Sequence, residues 1–243
     1  MNFTRIFFYL LVFTGFCQVY GQQAIINLPS ADITPKGKNF LMHETQTNFW
    51  NDIKSWYATN FYCRGIGYHT EIALTAYHSG FPGTSTNENI GFGFKTSLPI
   101  LKEWNDFRDV NLTIGSMGLI NTRGLGIGNF SYSHLNFRLP FLRTRITAGG
   151  SFGTHQLFLP NQGEIIDDFY TVHGIFGLEQ PLFTDKIQWI NEWFTGIHDF
   201  GYFTTGLLFH PFSKNHVIVV AYKIPNDDSV GKDGIVLEYG LFF

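Results

Sequence analysis

Three observations in the amino-acid sequence predict an all-β fold, a transmembrane antiparallel up-and-down β-barrel of about 12 strands. Short segments in which apolar and polar residues alternate with period two fill the chain beyond residue 36. Aromatic residues make up 18% of the chain and charged residues only 14%, against roughly 25% charged in an ordinary soluble domain. The chain ends on a strongly alternating segment whose last residue is Phe243.

Length and composition narrow the class of protein further. A chain of 243 residues suits a single domain, because barrels of this size fold as one unit. Its 27 phenylalanines exclude a disordered chain, which lacks aromatic residues. The net charge of −3 supplies no basic surface, so we expect no nucleic-acid partner.

The first 21 residues have the features of a secretory signal peptide. Arg5 supplies a positive charge, residues 6–16 form a short apolar run, and Gly21 precedes the expected cleavage point before Gln22. The apolar run is too short to span a bilayer as a helix, which needs about 20 residues. We therefore predict an exported protein whose mature chain begins after residue 21.

The mature chain contains about twelve candidate strands of suitable length. About ten tilted residues cross the hydrocarbon layer as a strand, and bacterial single-chain barrels have an even number of strands. Residues 22–36 contain prolines and polar residues, and we predict an irregular periplasmic lead-in there, before a barrel that covers 37–243. The candidates lie near 37–48, 56–67, 69–78, 88–98, 108–119, 128–139, 143–155, 169–180, 186–197, 200–211, 215–224 and 233–243.

The connections between these segments alternate in length, as they do in membrane barrels. Short connections near 67–68, 140–142, 183–185 and 212–214 are separated by longer ones near 79–88, 120–127, 156–168 and 225–233. With both termini in the periplasm, the short set corresponds to periplasmic turns and the long set to external loops. Two connections break the pattern, because 198–200 is short for an external loop and 99–107 is long for a periplasmic turn.

The last strand carries the most specific signal. Its outward face is predicted to consist of Ile235, Leu237, Tyr239, Leu241 and Phe243. This ending resembles the C-terminal strand signal of bacterial outer-membrane β-barrel proteins, including porin-like barrels, by which the insertion machinery recognises them. The resemblance implies the outer membrane of a Gram-negative bacterium, with membrane lipids and the barrel-insertion machinery as partners.

Charged residues within the strands are expected to face the lumen, because Arg or Lys facing lipid near the midplane costs about 2–4 kcal/mol. Both signs occur in similar numbers, so these side chains either pair and fill the lumen or line a water-filled path. A lumen of twelve strands is intermediate between filled and open barrels. The candidates are Glu44, Arg64, Glu71, Lys95, Arg138, Arg145, His173, Glu179, Glu192 and Glu238, with His134 and His198 as further histidines.

No residue pattern points to catalysis, a metal or a cofactor. Cys63 is the only cysteine after the predicted cleavage, and the histidines lack the spacing of metal ligands. Ser133 and His134 are adjacent, but neighbouring strand residues face opposite ways and cannot act together as nucleophile and base. We therefore expect a protein that is not an enzyme, with no catalytic residues.

Three functions remain open on the sequence alone. The first is a narrow passive channel for small polar solutes. The second is a plugged structural or interaction barrel that works through its external loops. The third, for which no motif is present, is an outer-membrane enzyme that modifies lipids. Because one fold supports many functions, the sequence does not decide among them.

Overall fold

The computed structural model describes most of the chain beyond the predicted signal peptide. The described residues are 24–48, 50, 55–79, 88–104, 107–124, 126–140, 142–154, 170–184, 186–198, 200–228 and 231–243. The signal peptide predicted at 1–21 lies outside them. Within these residues no helix is long and apolar enough to cross a membrane.

The chain forms a closed barrel of 12 antiparallel strands, which confirms the predicted fold class. Each strand pairs with the strands before and after it in sequence, and β1 pairs with β12 to close the sheet. The strands are β1 (Asn39–Asn48), β2 (Ser55–Gly67), β3 (Thr70–Ser79), β4 (Asn89–Trp104), β5 (Phe107–Asn121), β6 (Ile127–Arg138), β7 (Arg145–Thr154), β8 (Tyr170–Pro181), β9 (Ile187–Phe194), β10 (Tyr202–Phe209), β11 (His216–Pro225) and β12 (Gly234–Phe242).

The closing seam between β1 and β12 is continuous. Its register runs from Phe40 opposite Phe242 to Thr47 opposite Ile235. At the end of the seam the Asn39 and Phe243 backbones exchange hydrogen bonds of 2.9 and 3.0 Å. Closure leaves no strand edge for pairing with another chain.

The two ends of the barrel differ in their connections. We call the end that carries the start of β1 and the finish of β12 the terminal end, and the opposite end the loop end. Tyr68 and His69 form a tight turn at the terminal end with φ of 52° and 57°, as a two-residue hairpin turn of type I′ requires. The loop end carries longer connections, such as 195–201 and 226–233.

The strand bounds explain the two connections that broke the predicted length pattern. One of them is mostly strand, and the other is longer than predicted because its neighbouring strands are shorter. β4 extends to Trp104 and β5 begins at Phe107, so most of 99–107 is strand and the turn at the terminal end is short. β9 ends at Phe194 and β10 begins at Tyr202, which lengthens the connection at the loop end. With these two corrections, the four longest connections, 80–88, 155–169, 195–201 and 226–233, all join strands at the loop end.

The outer surface is apolar where the strands cross the middle of the barrel. In β4, Ile90, Phe92 and Phe94 are 57%, 60% and 45% exposed, as the alternation predicted. In β12, Leu237 and Tyr239 also face outward. Soluble monomers rarely expose a contiguous apolar surface of this extent, whereas lipid solvates it.

The inner surface is polar and tightly packed. The Thr113 hydroxyl lies 3.1 Å from the Ser97 hydroxyl and 3.2 Å from the Asn136 side-chain oxygen, and the Asn136 amide donates to Thr147. These side chains come from four consecutive strands, β4 to β7, and all are buried. Buried polar groups are stable only when hydrogen-bonded, so this network replaces water on that part of the inner wall.

Two adjacent glycines in β7 test how closely the strands approach. A Cβ added at Gly149 would overlap the Ser133 carbonyl oxygen and the His134 backbone, whereas one at Gly150 would lie 3.5 Å from the nearest atom. We expect Gly149→Ala to lower the free energy of unfolding by about 1–3 kcal/mol, because the backbone must shift. Gly150→Ala is the matched control and should change it little. Urea unfolding followed by tryptophan fluorescence measures both, and equal effects would contradict this account of the packing.

Candidate functional site in the barrel lumen

Residues 24–36 lie inside the barrel, and we call them the plug segment. Ile25, Ile26 and Leu28 are 0% exposed, and the segment leaves the lumen at the terminal end, where Lys36 bridges to Gly65. The expected periplasmic lead-in at 22–36 is therefore corrected for the part that the structure describes. The reason is physical: the three apolar side chains and the unpaired backbone of this segment both gain partners inside the lumen.

Glu192 of β9 forms the first anchor of the plug segment. Its Oε2 atom accepts hydrogen bonds from the backbone N–H groups of Ile26, Asn27 and Leu28 at 3.1, 2.7 and 2.7 Å. Its Oε1 atom accepts one from the Asn27 side-chain amide at 3.1 Å. Hydrogen bonds to a charged group contribute more than neutral ones, about 1.5–3 kcal/mol each. The buried carboxylate thus holds a turn of the plug that would otherwise leave its N–H groups unsatisfied.

Asp32 forms the second anchor through Arg145 of β7. The Arg145 guanidinium donates two parallel hydrogen bonds to Asp32, at 2.8 and 2.6 Å, and also pairs with Glu179, its neighbour on β8. Burial raises the pKa of Asp32, but the nearby Arg145 guanidinium lowers it by more than burial raises it. The net pKa of Asp32 therefore lies below its usual value. The carboxylate therefore stays ionised, and one arginine links the plug to two strands.

Glu71 of β3 forms the third anchor, near the terminal end. Its Oε2 atom accepts a hydrogen bond from the Thr34 backbone N–H at 2.7 Å, and its Oε1 atom lies 3.1 Å from the Lys95 ammonium. The Thr34 hydroxyl lies 3.0 Å from the buried Cys63 thiol. At Gly65 an added Cβ would overlap the Thr34 carbonyl oxygen, so glycine is needed where the plug meets the wall.

The structure places most of the sequence-predicted lumen residues inside the barrel. His173 faces the lumen near the loop end, and its ring centroid lies 4.0 Å from that of His198. Arg138 lies at the rim of the terminal end and pairs with Asp109 at 3.1 Å. The predicted residues that are buried in the interior, each at most 9% exposed, are Glu44, Glu71, Lys95, Arg145, Glu179, Glu192 and Glu238.

Arg64 is the exception, because its side chain is on the outer face of β2. Cys63 is 0% exposed and points inward, and adjacent strand residues point to opposite faces. The Arg64 guanidinium donates a hydrogen bond to the Asn39 side chain at 3.0 Å, close to the terminal end. Near a membrane interface an arginine costs only about 0–1 kcal/mol, so this position tolerates the charge.

Asp32, Asn27 and the apolar side chains of the plug segment were not among the sequence-predicted site residues. The segment has no period of two or 3.6, so nothing in its pattern indicated an ordered structure. A weaker signal was present: Ile25, Ile26 and Leu28 form an apolar group in a stretch that was expected to be solvated.

At the loop end, His198 fixes the connection between β9 and β10. Its Nε2 atom donates to the Thr195 carbonyl oxygen at 2.7 Å, and its Nδ1 atom accepts from the Phe200 N–H at 3.1 Å. This arrangement requires the neutral ring. Burial lowers the pKa of His198 to about 4, and the neighbouring His173 lowers it further.

The plug segment does not fill the lumen completely. A cavity of about 90 Å³ remains between it and the inner face of β1 to β6. Among the residues that the structure describes, no group of three or more His, Cys, Asp or Glu side chains is arranged to hold a metal ion. The candidate functional site is therefore the plug, its three anchors and this cavity.

No family model and no curated protein sequence matches this chain. Among solved structures, the chain is similar to the translocator domain of the autotransporter NalP from Neisseria meningitidis, with 11% identity, a TM-score of 0.41 and coverage of 88% of this chain and 90% of that one. It is also similar to Ail, the attachment invasion locus protein of Yersinia pestis, with 11% identity, a TM-score of 0.20 and coverage of 86% and 99%. The barrel assignment itself rests on the closed strand pairing.

The first prediction at this site concerns Glu192. In an Ile25→Cys, Cys63→Ser background, we expect residue 25 to react slowly with a water-soluble maleimide, because it is buried. Glu192→Ala removes three backbone hydrogen bonds to a carboxylate, so labelling should become at least ten-fold faster at about 1.4 kcal/mol per factor of ten. Glu88→Ala, at a partly exposed ion pair with Arg123, is the control. An unchanged rate in Glu192→Ala would show that this carboxylate does not hold the plug.

The second prediction concerns the pH dependence that His198 confers. A folded-state pKa of about 4 lies below the ordinary value of 6.5, so the unfolded chain binds the proton first as pH falls. The contribution of His198 to stability is complete above pH 6.5 and decreases between pH 6.5 and 4, by about 2–3 kcal/mol at pH 4.5. Urea unfolding at pH 7.5 and 4.5 should show a smaller decrease for His198→Asn than for the unmodified protein. Equal decreases would contradict the assignment.

Proposed function

We propose that this chain is a plugged outer-membrane barrel of a Gram-negative bacterium, a non-enzymatic structural or interaction protein that is closed to solutes at rest. The observation that carries the proposal is the plug segment, which is held in the lumen by Glu192, Arg145 and Glu71. A side chain from three separate strands, β9, β7 and β3, fixes the segment at three points along its length.

Membrane insertion is supported by the pattern of exposure around the barrel. Apolar side chains face outward on strands of 8 to 16 residues, and about 9–11 tilted residues cross the hydrocarbon. The apolar outer face of β12, which ends at Phe243, agrees with recognition by the insertion machinery. With the terminal end in the periplasm, the loop end faces the cell exterior and is the surface available to a partner.

The energetics of the anchors favour a closed state. Opening the lumen requires the plug segment to lose its hydrogen bonds to Glu192, its ion pair with Arg145 and the hydrogen bond to Glu71. Breaking one partner of a buried charged pair leaves the other uncompensated, at about 3–5 kcal/mol. Several such losses together keep the open state rare.

The passive channel for small polar solutes is the second candidate. The cavity beside the plug segment favours it, because unfilled space remains in the lumen. In that case the plug would leave or move during transport. Arg145 would then act as a latch, because it holds Asp32 of the plug in place.

Conductance in a planar bilayer separates the two candidates. We expect refolded signal-free protein to be silent and the double variant Glu192→Ala/Arg145→Ala to show discrete openings, because two anchors are lost. Glu88→Ala should stay silent, and a heat-modifiability gel confirms that each sample is folded. Frequent ion-selective openings of the unmodified protein would overturn the plugged barrel in favour of the channel.

A further inference from the structure

The cavity beside the plug segment has the dimensions of a site for a small molecule. Its volume of about 90 Å³ accommodates about six to nine water-sized groups, at roughly 10–15 Å³ for each. One wall is the plug itself, which contributes Ile26, and the other is the inner face of the barrel. The cavity exists only while the plug is in place.

Most of the lining is apolar. Phe61 and Ala73 come from β2 and β3, and Met117 comes from β5. An aromatic group closes one part of the cavity, where the ring of Phe200 lies 5.6 Å from Tyr77 and 5.9 Å from Phe130 between centroids. Such a lining takes an apolar body, and the faces of aromatic rings also attract organic cations.

One polar wall of the cavity is acidic. Glu44 lines it and is 1% exposed, and Glu238, directly opposite on β12, is 4% exposed. The Gln46 amide donates to Glu44 at 2.8 Å, while Lys223 binds the oxygen of the same Gln46 side chain at 2.6 Å. Two adjacent buried carboxylates repel each other, so a proton or a further cation is favoured beside them.

Unused hydrogen-bonding groups mark the same region. The Thr75 hydroxyl lines the cavity, is buried at 4% exposure and has no hydrogen-bond partner in the described part of the chain. Oε1 of Glu238 likewise has none there. A buried polar group without a partner costs about 1–3 kcal/mol, so a ligand that bonds to Thr75 gains this energy.

The one ammonium group on the lining does not neutralise the acidic wall. Lys95 lies 3.1 Å from Glu71, and Glu71 also accepts the Thr34 N–H of the plug. The Lys95 charge is therefore matched by its own carboxylate, and Glu44 is a second acidic side chain on the lining. This balance disfavours an anionic ligand.

We propose that the cavity binds a small organic cation, an ammonium group carried on a short apolar chain. The ammonium donates hydrogen bonds to the Glu44 carboxylate and the Thr75 hydroxyl. The apolar chain lies against Ile26 and Met117 and reaches the aromatic group that contains Phe200. The inference goes beyond the plugged barrel, although it needs the plug in place because Ile26 forms part of the site.

Calorimetric titration of the refolded, full-length mature protein in a neutral detergent tests the proposal. The probes are n-butylammonium chloride, n-butanol and sodium butanesulfonate, which share a chain and differ in the head group. We expect saturable one-to-one binding of the ammonium, with the alcohol and the sulfonate at least ten-fold weaker. Glu44→Gln should weaken ammonium binding at least ten-fold, since it removes the charge and keeps the shape.

Two further variants keep the result interpretable. Glu88→Gln removes a carboxylate at the loop end that is not part of the cavity lining and is paired with Arg123, and it should leave ammonium binding unchanged. Ala73→Leu fills the cavity without changing its charge and should also weaken binding. Heat modifiability and far-ultraviolet circular dichroism confirm that each variant is folded.

Several outcomes would overturn the proposal. Equal binding of butanol would identify a purely apolar cavity, and unchanged binding in Glu44→Gln would place the ammonium elsewhere. Binding of Na⁺ or Ca²⁺ that depends on Glu44, without any binding of butylammonium, would identify an inorganic cation site. Absence of saturable binding would also reject the proposal, while a silent barrel in the bilayer would still leave the proposed function intact.

Discussion

The pairing of β1 with β12 is the contact on which the rest of this structure depends. It converts a sheet with two exposed edges into a cylinder that has an outside and an inside. In a bilayer the outer surface must then be apolar. The inside of a twelve-stranded cylinder is wider than strand side chains alone fill, so it must hold water or further polypeptide. In this chain the polypeptide is its own segment before β1.

The wall and the plug segment complete each other chemically. The wall offers carboxylates, and the plug offers backbone N–H groups that have no partner within their own segment. Glu192 and Glu71 each accept from such N–H groups, and Arg145 reverses the polarity by donating to Asp32 of the plug. Neither part is satisfied alone, because a lumen of unpaired carboxylates and a turn of unpaired amides are both costly in the absence of water.

The parts of this architecture that depend on local pattern were predictable, and those that depend on distant partners were not. Period-two alternation located all the strands and the outward face of β12, because each strand has one apolar outer side and one polar inner side. Arg64 was expected in the lumen because of its charge, whereas the regular alternation of β2 places it on the outer face, between the buried Cys63 and Gly65. The plug was missed because Glu192 and Leu28, which hold it together, are 164 residues apart in the chain.

The plug segment enters the barrel at the end where β1 begins, and this has a consequence for assembly. The segment is joined to β1 at the mouth through which it enters, so the finished barrel requires no threading of a loop through a closed ring. The barrel is free to close first and to receive the plug segment afterwards. Closure of the barrel wall and entry of the plug segment are then separable events.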